Sequence, residues 1–297
     1  MITILFAMKQ RLYVFISLTL FILLVQAIPI HHHTAFAEET IDYWGVVIVS
    51  LSETLQPYIY NGLIQSENWD QDHIKLLWKQ NATRENIFSA LSWLQSSSDE
   101  NDIVLFSVDC HGVYMDGTFG IWPQDGGANG MITIEELKYQ FDKINAQGHC
   151  LIFDCCFSGN FADPTKNNLI QSINKREFEQ SMQNGLEAEN RVIIMGTMAN
   201  GLGIHWADFD ISGNQIVDIS PSSILSECFI SGNDLNNDGF TSAEESHQYL
   251  KEHFRKYALM GFLNIPLQIF CYLFYGFFTI PFPTLSDNYD GELPIVY

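Results

Sequence analysis

Two residues in this chain have the types and spacing for covalent chemistry, a histidine and a cysteine that each follow an apolar run. The first run is Asp102-Ile-Val-Leu-Phe-Ser-Val-Asp109-Cys110-His111-Gly112. The second, whose Cys156 comes 45 positions after that His, is Cys150-Leu-Ile-Phe-Asp154-Cys155-Cys156-Phe157-Ser158-Gly159. A thiol becomes a nucleophile when a neighbouring imidazole takes its proton and stabilises the ion pair. Gly112 lets a backbone approach closely, and Ser158-Gly159 suits a tight turn after the cysteine. The competing explanation is a cysteine buried in a core strand and an unrelated loop histidine.

Positioning such a pair takes a sheet whose strands end side by side. Trp44 to Leu51 is a β-branched run that predicts a first, central strand, and His73 to Trp78 predicts a second. Thr83 opens a helix with Ile87, Phe88, Leu91 and Leu94 at helical spacing. Ile103 to Val108 predicts the third strand, followed by a Gly-rich loop. Thr133-Ile-Glu-Glu136 is a capping box before a helix carrying Leu137, Phe141 and Ile144 on one face. Cys150 to Asp154 and Arg191 to Gly196 predict the fourth and fifth strands, and Leu293 to Tyr297 a last one. Ser242-Ala-Glu-Glu245 is a second capping box, and the polar stretch from Asp163 to Asn190 reads as an exposed helix or mobile loop. Strands that alternate with helices imply an α/β fold, a mostly parallel six-stranded sheet flanked by helices on both faces. Neighbouring residues at a strand end point to opposite faces. If His111 and Cys156 converge, Cys110 and Cys155 therefore meet on the other side.

Lys9 and Arg11 precede the apolar run Leu12 to Ile30, and Ala35-Phe36-Ala37 follows, the pattern of a signal peptide occupying residues 1–37. The remaining domain, 38–297, has 12 basic against 35 acidic residues, a balance of −23. That charge argues against nucleic acid or an anionic lipid surface as partner. The expected location is secreted or extracytoplasmic. The segment 258–285 has no charged residue and is long enough to cross a bilayer, but Asn264, Pro266 and Gln268 interrupt it. A span, a membrane-surface patch and a buried core segment all remain open for it. Six cysteines do not form a complete disulfide framework if Cys156 stays a thiol.

These motifs resemble the caspase-like cysteine peptidases of clan CD, which include caspases, metacaspases, legumains and gingipains. The resemblance runs from Tyr43-Trp44-Gly-Val-Val-Ile-Val through Asn81-Ala-Thr, the His-Gly and the Asp-Cys-Cys-Phe-Ser-Gly to Asp287-Asn-Tyr-Asp-Gly-Glu-Leu-Pro. It is strongest with metacaspase-like microbial members, where the nucleophile motif reads Asp-x-Cys-x-Ser-Gly. It implies a caspase-hemoglobinase-like sheet, Cys156 as nucleophile, His111 as base, and an oxyanion hole from the backbone N–H groups of Gly112 and Cys156. Asp154, two before the nucleophile, corresponds in relatives to the wall of the pocket for the side chain preceding the scissile bond. A carboxylate there pairs with Arg or Lys, and the alternative is that Asp154 caps the strand-to-helix turn. Asp109-Cys110 stands where the family has Ser-Gly, and Ser52 to Asn68 is short against the family's Asp-rich loop.

Asp234-Leu-Asn236-Asn-Asp238-Gly239-Phe240-Thr-Ser-Ala-Glu-Glu245 fits an EF-hand loop over 234–245. Asp234, Asn236 and Asp238, the Phe240 carbonyl and Glu245 are its candidate Ca²⁺ ligands, with Gly239 at the turn. Asp125 to Glu136 repeats the spacing but has Gly127 where a ligand is needed. The function expected is therefore an exported cysteine endopeptidase acting on peptide or protein substrates, with structural Ca²⁺ and no organic cofactor. A catalytically silent calcium-binding surface protein and a transpeptidase are the alternatives.

Overall fold

Long β-branched, uncharged runs pair most readily with one another, and they set the centre of the molecule. The computed structural model describes residues 40–51, 56–115, 118–126, 130–156, 185–196, 206–209, 215–261 and 283–297, and excludes the side chains of 206–209, 215–219 and 255–261. The expected signal peptide, Ser158-Gly159, most of 163–190 and most of 258–285 lie outside the described residues. In chain order the elements are β1 (Tyr43–Val49), α1 (Tyr58–Leu63), β2 (Ile74–Trp78), α2 (Arg84–Ser97), β3 (Ile103–Asp109), β4 (His111–Met115), β5 (Thr118–Trp122) and β6 (Ile132–Thr133). There follow α3 (Ile134–Phe141), β7 (Gly148–Asp154), β8 (Arg191–Met195), β9 (Trp206–Phe209), β10 (Gln215–Ile219), α4 (Pro221–Ser231), β11 (Thr241–Ser242), α5 (Ala243–Gly261), β12 (Thr284–Asp287) and β13 (Pro294–Val296).

Six strands form the main sheet in the order β12-β8-β7-β3-β1-β2, with every pairing parallel except that of β12 with β8. Alternation along each strand sends side chains to two covered faces. On one face Val46, Phe106, Phe153 and Ile193 meet Ile87, Leu91 and Leu94 of α2 and Leu137 and Phe141 of α3. On the other, Val47, Leu105, Ile152 and Ile194 meet Ile59 and Leu63 of α1, Leu225 and Phe229 of α4 and Leu250 of α5. This is the α/β architecture expected, and both predicted capping boxes are present. Thr133 and Glu136 exchange backbone hydrogen bonds at the start of α3. Ser242 and Glu245 do the same at α5.

Two expectations change. The run at 293–297 is a strand, but β13 pairs antiparallel with β11, away from the main sheet. The sixth strand of that sheet is β12, at the end of the uncharged segment. Four residues at a sheet edge carry too little periodicity to stand out from apolar neighbours. The Gly-rich stretch after β3 is also more than a loop, since β4, β5 and β6 form a small antiparallel sheet. Among the described residues no helix is long and apolar enough to cross a membrane.

At the sheet's amino edge, buried Asp102 accepts hydrogen bonds from Asp42 N–H, Asp99 N–H and Trp44 Nε1. This clamps the starts of β1 and β3. Near the chain's end, Glu244 Oε2 accepts the Leu293 N–H, and burial raises its carboxyl to about 7 from the ordinary 4.5. A raised carboxyl means that the folded chain holds a proton the unfolded chain has released. Stability from this group therefore falls as pH rises from about 4.5 to about 7 and is level above that. Glu244→Gln keeps the acceptor without the charge. Its urea midpoint is expected to exceed that of the wild type at pH 8 and to match it near pH 4.

Candidate functional site

The register between β3 and β7 decides what can meet at the sheet's carboxyl edge. Asp109 pairs with Asp154, and one residue further on the Cys110 N–H donates to the Asp154 carbonyl at 3.4 Å. Cys110 and Cys155 thus occupy the next level, and His111 and Cys156 leave the sheet side by side. Gly112 fixes the approach, because a β-carbon there would lie 1.8 Å from the Cys156 carbonyl oxygen and 3.2 Å from its nitrogen. Only a glycine admits that backbone. His111 is exposed and Cys156 half-buried.

The other described cysteines, Cys110, Cys150, Cys155 and Cys228, are buried thiols. Burial pushes the first three well above the ordinary thiol range and Cys228 up to about 12. The carboxylates of Asp109 and Asp154 push Cys110 and Cys155 further in the same direction. Of the described thiols, Cys156 alone is placed to react from solvent. The structure thus brings together the predicted nucleophile, the base and Gly112.

Asp154 is 2% exposed. Its Oδ2 accepts the Ser222 N–H at 2.9 Å, in the first turn of α4. Beside it, a β-carbon on Gly196 would lie 3.2 Å from Oδ1 and 2.8 Å from Pro221 Cγ. Asp154 therefore docks the amino end of a helix far along the chain, where backbone donors and the helix dipole favour a carboxylate. Its observed hydrogen bond thus goes to α4 and not to a turn next to it in sequence. Sequence inspection missed that partner, although Ser220 as N-cap and Pro221 at the first helical position are a readable helix start. It also missed Trp122, which lies directly opposite His111 in the β4–β5 pair. Trp122 packs on Gly126, whose β-carbon would come 2.1 Å from the indole nitrogen.

Four of the five candidate calcium ligands lie on the loop between α4 and α5, and Glu245 is in the first turn of α5. Asn237 and Gly239 take positive φ, 63° and 102°, as the fourth and sixth places of such a loop require. The carboxylates, however, are turned onto amides. Asp234 accepts from the N–H groups of Asn237, Asp238 and Gly239. Glu245, 5% exposed, accepts from Leu235, Asn236 and Ser242. Among the described residues no group of three or more His, Cys, Asp or Glu side chains is arranged to hold a metal. In the weaker repeat, Asp125 accepts the Arg84 N–H and Glu136 pairs with the Arg84 guanidinium, so both carboxylates have other duties.

The fold is a mostly parallel α/β sheet in which His111 and Cys156 leave adjacent strand ends. The sequence model of the family described as "Metacaspase, peptidase C14 domain" matches residues 55–165, the stretch that contains both residues. Among solved structures, a protein from Geobacter sulfurreducens is 14% identical, covering 84% of this chain and 94% of that one, with a TM-score of 0.47. The Drosophila initiator caspase Dronc is 12% identical, covering 71% of each chain, with a TM-score of 0.39. No curated protein matches the sequence.

Thiol accessibility gives a direct check. Iodoacetamide at pH 8 is expected to modify Cys156 ahead of Cys110, Cys150, Cys155 and Cys228 in the native protein, as read by peptide mass spectrometry. Gly112→Ala, which drives a methyl into the Cys156 carbonyl, is expected to slow that alkylation at least about tenfold. An unchanged rate would show that the close approach does not hold the thiol in place.

Proposed function

We propose that this chain is an exported cysteine endopeptidase that cleaves after basic residues. The carrying observation is that the one half-exposed described thiol, Cys156, is seated by Gly112 beside the exposed imidazole of His111, within the metacaspase-like stretch. In this reading the Cys156 sulfur attacks the peptide carbonyl carbon while His111 takes the thiol proton. The backbone N–H groups of Gly112 and Cys156 receive the developing oxyanion charge. His111 then gives the proton to the leaving amine, and water releases the acyl group from sulfur.

The basic preference draws support from Asp109 and Asp154, which stand at one level on the same face beneath the pair. Export draws support from the charged, apolar and Ala-x-Ala pattern of residues 1–37, and a membrane association from the uncharged 258–285 segment. On fluorogenic peptides ending in Arg, Asn or Asp, the Arg peptide is expected to turn over fastest. Cys156→Ala and His111→Ala are each expected to lower kcat/KM at least about a thousandfold. Activity surviving in the Cys156 variant would overturn the nucleophile assignment, and a fastest Asn or Asp peptide would overturn the basic preference.

We also propose that the 234–245 loop takes structural Ca²⁺ through Asp234, Asn236, Asp238, the Phe240 carbonyl and Glu245. The ligand types, their spacing and the two positive-φ positions support this. For bidentate binding Glu245 must release the Leu235 and Asn236 amides. Isothermal titration is expected to show calcium binding to the wild type and weaker binding to Glu245→Gln. Equal affinity in the two would exclude the loop.

A further inference from the structure

We propose that Cys110 and Cys155 are the two halves of a disulfide that bolts β3 to β7 directly beneath His111 and Cys156. Four observations converge on the pair. The in-phase pairing of Asp109 with Asp154 makes Cys110 and Cys155 the next level, and the Cys110 N–H to Asp154 carbonyl bond continues the ladder to that level. Both side chains belong to the apolar layer under α2 and α3, so they leave the sheet on the same face, opposite to Asp109 and Asp154. They are 3% and 2% exposed and feel each other's charge when ionised. Each also lies just beyond the last paired residue of its strand, at the carboxyl edge of the sheet.

Adjacent parallel strands lie about 4.8 Å apart, inside the roughly 4.4–6.8 Å between α-carbons that a disulfide spans. Both sulfurs are thiols in the present structure, so joining them requires oxidation. Oxidation proceeds by thiol–disulfide exchange with a small disulfide such as oxidised glutathione. One cysteine, as thiolate, attacks a glutathione sulfur and expels a glutathione thiol. The second cysteine then attacks the mixed disulfide and expels the other. One S–S bond forms in the protein, one breaks in the oxidant, and two protons pass from the two cysteines to the two departing glutathiones. Burial means that exchange occurs while the chain folds or through local opening. The oxidising compartment implied by an export signal is where such a bond persists.

Bonding these two leaves Cys156 as the reactive thiol of the Cys155-Cys156 pair. The bond closes a loop that contains α3 and the β4–β6 sheet. It acts through the strand ends, so it is a positioning device, and it stands whether or not Cys156 attacks a peptide bond.

The test uses the full chain, as wild type and as Cys156→Ala, refolded and then equilibrated in buffers of graded reduced to oxidised glutathione. Each sample is alkylated in denaturant and mapped by mass spectrometry. A linked peptide pair carrying Cys110 and Cys155 is expected to grow with the oxidised fraction and to vanish with dithiothreitol. Tm is expected to fall by a few degrees on reduction, with no redox dependence in the Cys110→Ser/Cys155→Ser double variant. Recovery of both residues alkylated at the most oxidising ratio, or of Cys110 linked to another cysteine, overturns the proposal. The mapping decides by itself if the double variant does not fold.

Discussion

Everything at the site depends on one close approach, that of the Cys156 main chain to the α-carbon of Gly112. Parallel β3 and β7 end at the same level because Asp109 pairs with Asp154, but level strand ends alone would leave two loops free to diverge. The carbonyl seated on Gly112 prevents this, and the β4–β5 pair that starts at His111 anchors the histidine side. The cost of such packing is that no side chain is tolerated at 112. The benefit is a thiol and an imidazole held by backbone on a rigid sheet edge, where geometry is set better than on mobile loops.

The rest of the structure supports that edge from both faces. Helices α2 and α3 cover the layer containing Cys110 and Cys155, while α1, α4 and α5 cover the layer containing Asp109 and Asp154 by strand parity. Asp154 ties the second layer to the site, since its carboxylate receives the first turn of α4. The C-terminal segment closes the same side. Trp69 Nε1 and Asn68 Nδ2 both donate to the Ile295 carbonyl, and Asn236 Nδ2 reaches Glu292 from the 234–245 loop. That loop is therefore linked to the ends of the sheet through β13, so its conformation bears on the stability of the whole layer.

How much of this was legible in the sequence depends on whether the signal was local. Strands β1, β3, β7 and β8 are mainly apolar runs that end in small or reactive residues, and their positions, parallel pairing and delivery of His111 and Cys156 follow from that pattern. Asp102 looked like the polar start of a strand, whereas its role as acceptor for three donors arises only when Asp42 and Trp44 arrive from another strand. Asp154 carried two local explanations, and the partner that decides its hydrogen bonding lies 68 positions away. The edge strand β12 adjoins an uncharged segment, so composition concealed it. The 234–245 loop has the residue pattern and the backbone turns of a cation loop, yet side-chain pattern alone could not reveal that Glu245 is held by amides.

Electrostatics at the edge bears on the Cys156 thiol as well. Asp109 and Asp154 oppose ionisation of the thiols beneath the site, and a thiolate at Cys156 would form near the same two carboxylates. Repulsion from like charges disfavours that ion unless a positive group offsets it. An imidazolium at His111 supplies one such group, and the amino end of α4 partly neutralises Asp154. A cationic substrate side chain placed near the two carboxylates would supply a third and would ease thiolate formation as it bound. In that arrangement the charge of a bound cationic group and the ionisation of Cys156 would be coupled through the same pair of acids.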